Sequence, residues 1–155
     1  MANTPVALAL YQPDMAANVG AILRLGACLG APVHIIEPCG FAFSARAWAR
    51  TAMDYAALAT IHRHSNWTGF ETACTGAGAR VVALTAHGAC GLWDFAFRPG
   101  DRLLLGRESA GLPEAIRAGA AARLRIPLVA GARSLNIAVA AAIALAEAQR
   151  QIAAR

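Results

Sequence analysis

The chain contains no lysine; apart from histidine, every basic side chain is arginine. That absence removes one class of chemistry at once. A phosphate loop of the form G-x-x-x-x-G-K-[ST] needs a lysine to reach the terminal phosphates, and this chain cannot supply one. No G-x-G-x-x-G follows the first apolar run and no G-x-S-x-G occurs, so a dinucleotide fingerprint and a serine-hydrolase elbow are also missing. Cysteines are sparse and scattered, at Cys28, Cys39, Cys74 and Cys90, with no C-x-x-C. This argues against a metal cluster or a disulfide framework and for buried, reduced thiols. His62 and His64 lie two apart, facing one side of a strand, but no acidic or third ligand stands near them, so no metal site is expected. Charged residues make up only 15% and apolar ones 57%, the balance of a packed globular chain rather than a disordered one.

Long apolar runs are missing too. The longest, Ile137 to Ala146, is too short and too rich in alanine for a membrane span. The opening MANTPVALALYQPDM has no basic segment and no small-residue cleavage site, so no signal peptide is expected. The expected location is the cytoplasm. The 155 residues suit one domain, residues 1–155, with a sizeable core. A GC-rich coding bias would account for arginine over lysine, but not for a net charge of +5. A basic surface points to an anionic partner such as RNA.

Apolar runs at Val6–Tyr11, Val33–Glu37, Arg80–Thr85 and Arg102–Gly106 read as strands, with weaker ones at Leu58–His62 and Leu124–Val129, the last interrupted by Pro127. Helical spacing follows Asn18, with Ile22, Leu25, Cys28 and Leu29 on one face, Asn18 as N-cap and Gly30 as terminator. Shorter helices are expected over 45–52 and 66–75, and from Pro113 to 118. Ser134 would cap a final helix running nearly to the end. Strands alternating with helices mean an α/β protein, with a mostly parallel sheet and helices on both faces.

Ligands of such sheets sit outside the carboxyl ends of the strands. Three ends stand out: Leu84-Thr85, Gly106-Arg107-Glu108, and Ile126-Pro127 running on to Ser134-Leu135-Asn136. They offer glycines, apolar walls and a few polar groups, a mixture that suits a flat aromatic ring with a polar tail better than a phosphate. The middle one belongs to LLLGRESAGLP, residues 103–113, which carries more polar groups than a strand-to-helix turn requires.

Three blocks carry a resemblance: PDMAANVGAILRLGACLGAPVHIIEPCGF (residues 13–41), LLLGRESAGLP, and LRIPLVAGARSLNIAVAAAIALAEA (residues 124–148). In their order and spacing the chain resembles the SPOUT-class RNA methyltransferases, and within them the small single-domain members that methylate the ribose 2′-hydroxyl of the tRNA wobble nucleotide, cytidine or uridine at position 34. The resemblance implies a deep C-terminal trefoil knot and S-adenosylmethionine as methyl donor, with Leu84, Gly106, Ile126, Ser134 and Leu135 as its contacts. It implies that Arg24, in the N-x-x-x-I-x-R pattern, attends the target hydroxyl. Guanidinium is a poor general base in water, its pKa lying above about 12, so orienting the ribose, steadying an alkoxide, or accepting a proton after perturbation all remain open for it. Asn18, Glu108 and Asn136 are the candidate substrate contacts, Glu108 alternatively pairing with Arg24 or Arg107. Ala138 and Ala146 depart from the family pattern, standing where many members carry a hydroxyl residue and a tyrosine.

The resemblance also implies a homodimer with tRNA as partner, for which the final helix offers small alanines and the apolar Ile137, Ile143 and Leu145; the same residues would equally cover the chain's own sheet. The expected function is methylation of leucine-type tRNAs at the wobble nucleotide. The rivals are a 2′-O-methyltransferase for another tRNA or rRNA position, a non-catalytic knotted RNA-binding protein, and a flavodoxin-like binding domain.

Overall fold

The segments ALALY and RLLL carry apolar residues at consecutive positions, so a strand made of either must be covered on both faces. The computed structural model covers both in that way. It describes residues 5–155; residues 1–4, where the opening segment was read for a leader, lie outside the described residues, as do the side chains of Ala45 and Trp48. In chain order the elements are β1 (Ala7–Tyr11), α1 (Ala16–Leu29), β2 (Val33–Ile36), α2 (Ala45–Ala52), a 3-10 turn (Met53–Ala57), β3 (Ile61–His64), α3 (Trp67–Gly76), β4 (Val81–Leu84), β5 (Cys90–Gly91), a second 3-10 turn (Leu92–Asp94), β6 (Arg102–Leu105), α4 (Glu114–Gly119), β7 (Ala122–Arg125) and α5 (Ile137–Ala153).

The seven strands form one sheet in the order β3-β2-β1-β6-β4-β7-β5, and every pairing is parallel. The chain returns twice to the interior of the sheet, placing β6 between β1 and β4 and then β7 between β4 and β5. Alternate residues of the same strand feed two separate apolar clusters. Leu8, Leu10, Leu103 and Leu105 join Val19, Ile22 and Leu23 of α1 and Ala141, Ala144 and Leu145 of α5 on one face. Ala9, Leu104 and Ile36 join Phe70 of α3 and Ile116 of α4 on the other.

The structure shifts several expected boundaries. Asn18 does not cap α1. The helix starts at Ala16, Met15 occupies the cap position without a side-chain bond, and Asn18 is buried inside the first turn. The buried stripe of α1 is Val19, Ile22, Leu23 and Gly26. Cys28 and Leu29, expected on that face, are exposed. Gly30 does end the helix, at φ +66°, its N–H donating to Gly26 O. Residues 53–57 form a 3-10 turn, so β3 begins only at Ile61, and β7 stops at Arg125, before Ile126 and Pro127, because proline cannot donate to the ladder. Asn136, not Ser134, caps α5, its Oδ1 accepting from the N–H groups of Ala138 and Val139. Leu145 is fully buried in its own chain, with Ile137 and Ile143 packed against the same cluster. These three residues pack against the chain's own sheet, Leu145 fully and Ile137 and Ile143 in part.

Beyond the site, β2 and β3 carry a packed histidine group. His34 is stacked between His62, at 4.8 Å between ring centroids, and His64, at 5.2 Å, with Phe70 edge-on at 5.6 Å. His34 Nδ1 and His64 Nε2 are 2.9 Å apart, sharing one proton between two neutral rings. Among the described residues no group of three His, Cys, Asp or Glu could hold a metal. Burial, with the charges of Arg102, His62 and His64 adding to it, holds the pKa of His34 down at about 3. Unfolded, His34 titrates near its ordinary value of about 6.5, so below that pH the unfolded chain binds a proton that the folded chain refuses, and stability is lost as pH falls from there towards 3. One such group removes about 2 kcal/mol by pH 5. The unfolding free energy from urea titration is expected to fall by at least that amount between pH 7.5 and 5, and the fall should shrink in His34→Phe, the lowered pKa of His64 leaving the rest. A slope unchanged in that variant would place the titration elsewhere.

Candidate functional site

Parallel strands leave their carboxyl ends at one edge of the sheet, and here the ends of β4, β6 and β7 open onto one cavity of about 350 Å³, within the range of small-ligand sites. Leu84, Gly106, Ile126, Ser134 and Leu135 all line it. Leu105, Leu124 and Leu128 add apolar wall, and Arg107, Glu108 and Thr85 add polar groups.

The polar groups of the GRESAGLP turn have structural roles. Arg107 and Gly111 bond to each other twice, Arg107 N–H to Gly111 O at 3.2 Å and Gly111 N–H to Arg107 O at 2.8 Å, closing a tight loop. Gly111 sits at φ +66°. A Cβ on Gly106 would lie 2.4 Å from Gly111 C and 2.6 Å from Leu112 N. Gly106 leaves space beside its Cα that a Cβ would otherwise take. In the structure it is filled by the loop's own backbone, and the ligand cavity borders that packed turn.

The closed loop holds Glu108 against α1. Asn18 Nδ2 donates to Glu108 Oε1 at 3.2 Å, and the Asp14 N–H donates to Oε2 at 3.0 Å. Asn136 Nδ2 in turn donates to Asn18 Oδ1 at 3.0 Å. The three candidate substrate contacts thus form one hydrogen-bonded chain joining the N-termini of α1 and α5 to the cavity wall. Glu108 pairs with neither Arg24 nor Arg107. Asp14 and Ser109, not singled out from the sequence, belong to the same network, the Ser109 hydroxyl donating to Asp14 Oδ2. The D at position 14 and the S of R-E-S were the available signals, but they lie 95 positions apart, and nothing local announces their contact. Burial raises the pKa of Glu108, and the Asp14 carboxyl beside it adds to the rise. Contact with Glu108 and with the Ser109 hydroxyl holds Asp14 well below the usual carboxylate range.

Arg24 stands apart. It is exposed, its guanidinium lies over the Tyr55 ring at 4.7 Å, and its Nη1 is 3.2 Å from Met53 Sδ. It is not part of the cavity wall. The structure gathers five donor-pocket candidates and three substrate candidates at one sheet edge and leaves Arg24 on the outer face of α1, against the turn after α2.

A parallel α/β sheet whose strand ends build an apolar cavity rimmed by a carboxyl–amide network defines a nucleoside-sized ligand site rather than a phosphate cradle. Comparison with known proteins makes the class specific. The SpoU rRNA Methylase family pattern matches residues 5–146, and the chain belongs to that family. It is 50% identical over 146 residues to the tRNA (cytidine(34)-2'-O)-methyltransferase of Ancylobacter novellus, covering 94% of this chain and 92% of that one. A solved structure described as "Structural insights into the 2-OH methylation of C/U34 on tRNA" superposes with a TM-score of 0.93 at 40% identity, covering 99% of both chains. The AdoMet-bound rRNA methyltransferase of Sinorhizobium meliloti superposes at 0.85 with 31% identity, over 94% of this chain and 56% of that one.

Proposed function

We propose that the protein is an S-adenosylmethionine-dependent tRNA methyltransferase that modifies the ribose 2′-hydroxyl of the wobble nucleotide, cytidine or uridine 34, of leucine-type tRNAs in the cytoplasm. The observation that carries the reading is the convergence of Leu84, Gly106, Ile126, Ser134 and Leu135 on one cavity beside the Asn136–Asn18–Glu108 network. The cavity fits the donor's chemistry: Leu84, Ile126 and Leu135 flank a flat base, and Ser134 can donate to or accept from a polar edge. When bound, the donor supplies an electrophilic methyl group. The chain's own residues do the rest. Glu108 and Asn18 orient the ribose, and the apolar wall keeps water from the reacting oxygen. Orientation alone lowers such barriers by up to about 7–11 kcal/mol.

The reading includes Arg24 as the group attending the 2′-hydroxyl. It includes a homodimer as well, since Arg24 lies off the cavity of its own chain and Met15 and Val139 are half-exposed apolar side chains at the two helix N-termini. It also includes a C-terminal segment threaded as a knot, in keeping with the two returns into the sheet.

Transfer of labelled methyl to total tRNA from a strain lacking the enzyme, followed by mapping of the label, tests the reading. Label at ribose 34 of leucine-type tRNAs is expected, with Arg24→Ala slower by at least about a hundredfold. Label at another tRNA or rRNA position, or donor binding with no transfer to any cellular RNA, would overturn it.

A further inference from the structure

Several of the chain's arginines are paired with carboxylates. Arg63, Arg80 and Arg150 each make two hydrogen bonds to one carboxylate, at 2.7–3.3 Å. Arg117, the other arginine on the cavity wall, is held by Glu114 at 2.6 Å. Arg107 has no such short bond. Its Nε, like that of Arg117, is buried without a hydrogen-bond partner, but no Nη of Arg107 reaches a carboxylate as that of Arg117 does. Its nearest acceptors are Gln12 Oε1, 3.5 Å from Nη1, and Asp14 Oδ2, 3.9 Å from Nε, both beyond the usual range of an N–H···O bond. Asp14 Oδ2 already accepts from the Ser109 hydroxyl, and Asp14 Oδ1 is itself buried without a partner. Gln12 adopts φ +44°, an uncommon conformation for a residue other than glycine, and this brings its amide to the guanidinium without completing a bond. Desolvating a guanidinium donor while leaving it unpaired costs free energy. The backbone of Arg107 is fixed at the cavity by its two hydrogen bonds with Gly111.

We infer that Arg107 is a substrate-positioning residue, its guanidinium taking the RNA phosphate adjacent to the ribose that Glu108 and Asn18 orient. The inference rests on the methyltransferase reading. A planar fork of N–H donors, 37% exposed at the cavity, matches two oxygens of a phosphodiester. A 2′-hydroxyl is vicinal to the 3′-phosphate of its own nucleotide, so a residue next to Glu108 in the chain is suitably placed for that group. The same fork could instead grip the donor's carboxylate, and the test separates the two anions.

Arg107→Gln and Arg107→Lys are measured beside the wild type for donor affinity, tRNA affinity over a range of salt, steady-state methyl transfer and thermal midpoint. The wild type's own transfer to tRNA reports on the underlying reading, and the variants report on this one. For Arg107→Gln the expectation is tRNA binding weakened about tenfold, with the slope of log K against log salt smaller by about 0.7, the loss of one phosphate contact on a single strand. Donor affinity and the thermal midpoint should stay at wild-type values, since the residue completes no strong bond within the chain. Arg107→Lys should keep the salt slope but recover the affinity only in part, having the charge without the fork. A salt slope unchanged in Arg107→Gln overturns the inference. So does a loss of donor affinity with tRNA binding intact, which assigns the guanidinium to the donor's carboxylate.

Discussion

Asp101→Ala is expected to cost about 3 kcal/mol of folding stability, lowering the thermal midpoint by roughly 6–12 °C for a domain of this size. Asp101 is 1% exposed, and three donors converge on its carboxylate: Arg80 Nε at 2.8 Å, Arg80 Nη2 at 2.7 Å and the Arg98 N–H at 2.8 Å. Its backbone carbonyl accepts from Ala7 N–H, and the Arg80 carbonyl accepts from Arg102 N–H. One ion pair therefore ties the turn at residues 98–101 to the starts of β1, β4 and β6. The Arg80 guanidinium also lies over the Phe95 ring and bonds Ala96 O, so it cannot swing into water when the carboxylate is removed without losing those contacts. The expected cost stays at the lower end for a broken buried pair because the Arg80 side chain is 26% exposed, which lets solvent screen part of the loss. Arg80→Ala should cost less, and the double variant should show coupling of at least about 1 kcal/mol. Because the pair sits at the amino ends of the strands, donor affinity should be unchanged at temperatures where the variant is folded. A midpoint within a degree or two of wild type would show that the pair is not a structural tie.

The sequence carries the two-faced burial of β1 and β6 openly, because unbroken apolar runs such as ALAL and LLL leave no solvent face. Alternation of strands with helices is legible in the same way. The site is half legible. Leu84, Gly106, Ile126, Ser134 and Leu135 stand at or just beyond strand ends, where parallel sheets place their ligands. The capping assignments fail for a physical reason. Asn18 and Ser134 are good caps by composition, but tertiary contacts override local preference: Asn18 is drawn inward by Glu108 and Asn136, and Asn136 takes the cap that Ser134 was expected to fill. The strand order is not legible at all. Nothing in the composition of RLLL says that it inserts beside β4 instead of adding to an edge, because buried parallel strands are apolar in the same way, and ARLR, with arginine at alternate positions, reads as an edge strand although β7 lies between β4 and β5. The Asp14–Ser109 and Arg107–Gln12 contacts depend on that order.

Gly106→Ala is expected to abolish measurable donor binding, weakening it by at least about a hundredfold, and to lower folding stability by about 1–3 kcal/mol. The three atoms nearest the added methyl, Gly111 C at 2.4 Å, Leu112 N at 2.6 Å and Gly111 Cα at 2.8 Å, are all backbone, so no side chain can rotate away. Relief requires the 111–112 segment to move by about an ångström, the gap between these distances and ordinary van der Waals contact. That movement breaks the paired bonds between Arg107 and Gly111. Glu108 is then released from Asn18 and from the Asp14 N–H, and the cavity wall formed by Gly106, Gly111 and Leu112 shifts. Gly111→Ala separates crowding from conformation. Gly111 is at φ +66° with nothing within 4 Å of its Cβ position, so alanine there meets only the left-handed backbone penalty of about 1–2 kcal/mol and should leave donor affinity within a few-fold of wild type. Isothermal titration of S-adenosylmethionine into both variants decides the matter. Donor affinity retained in Gly106→Ala would mean that the turn yields without disturbing the pocket, and that the close contact of residue 106 with its own loop is not what shapes the site.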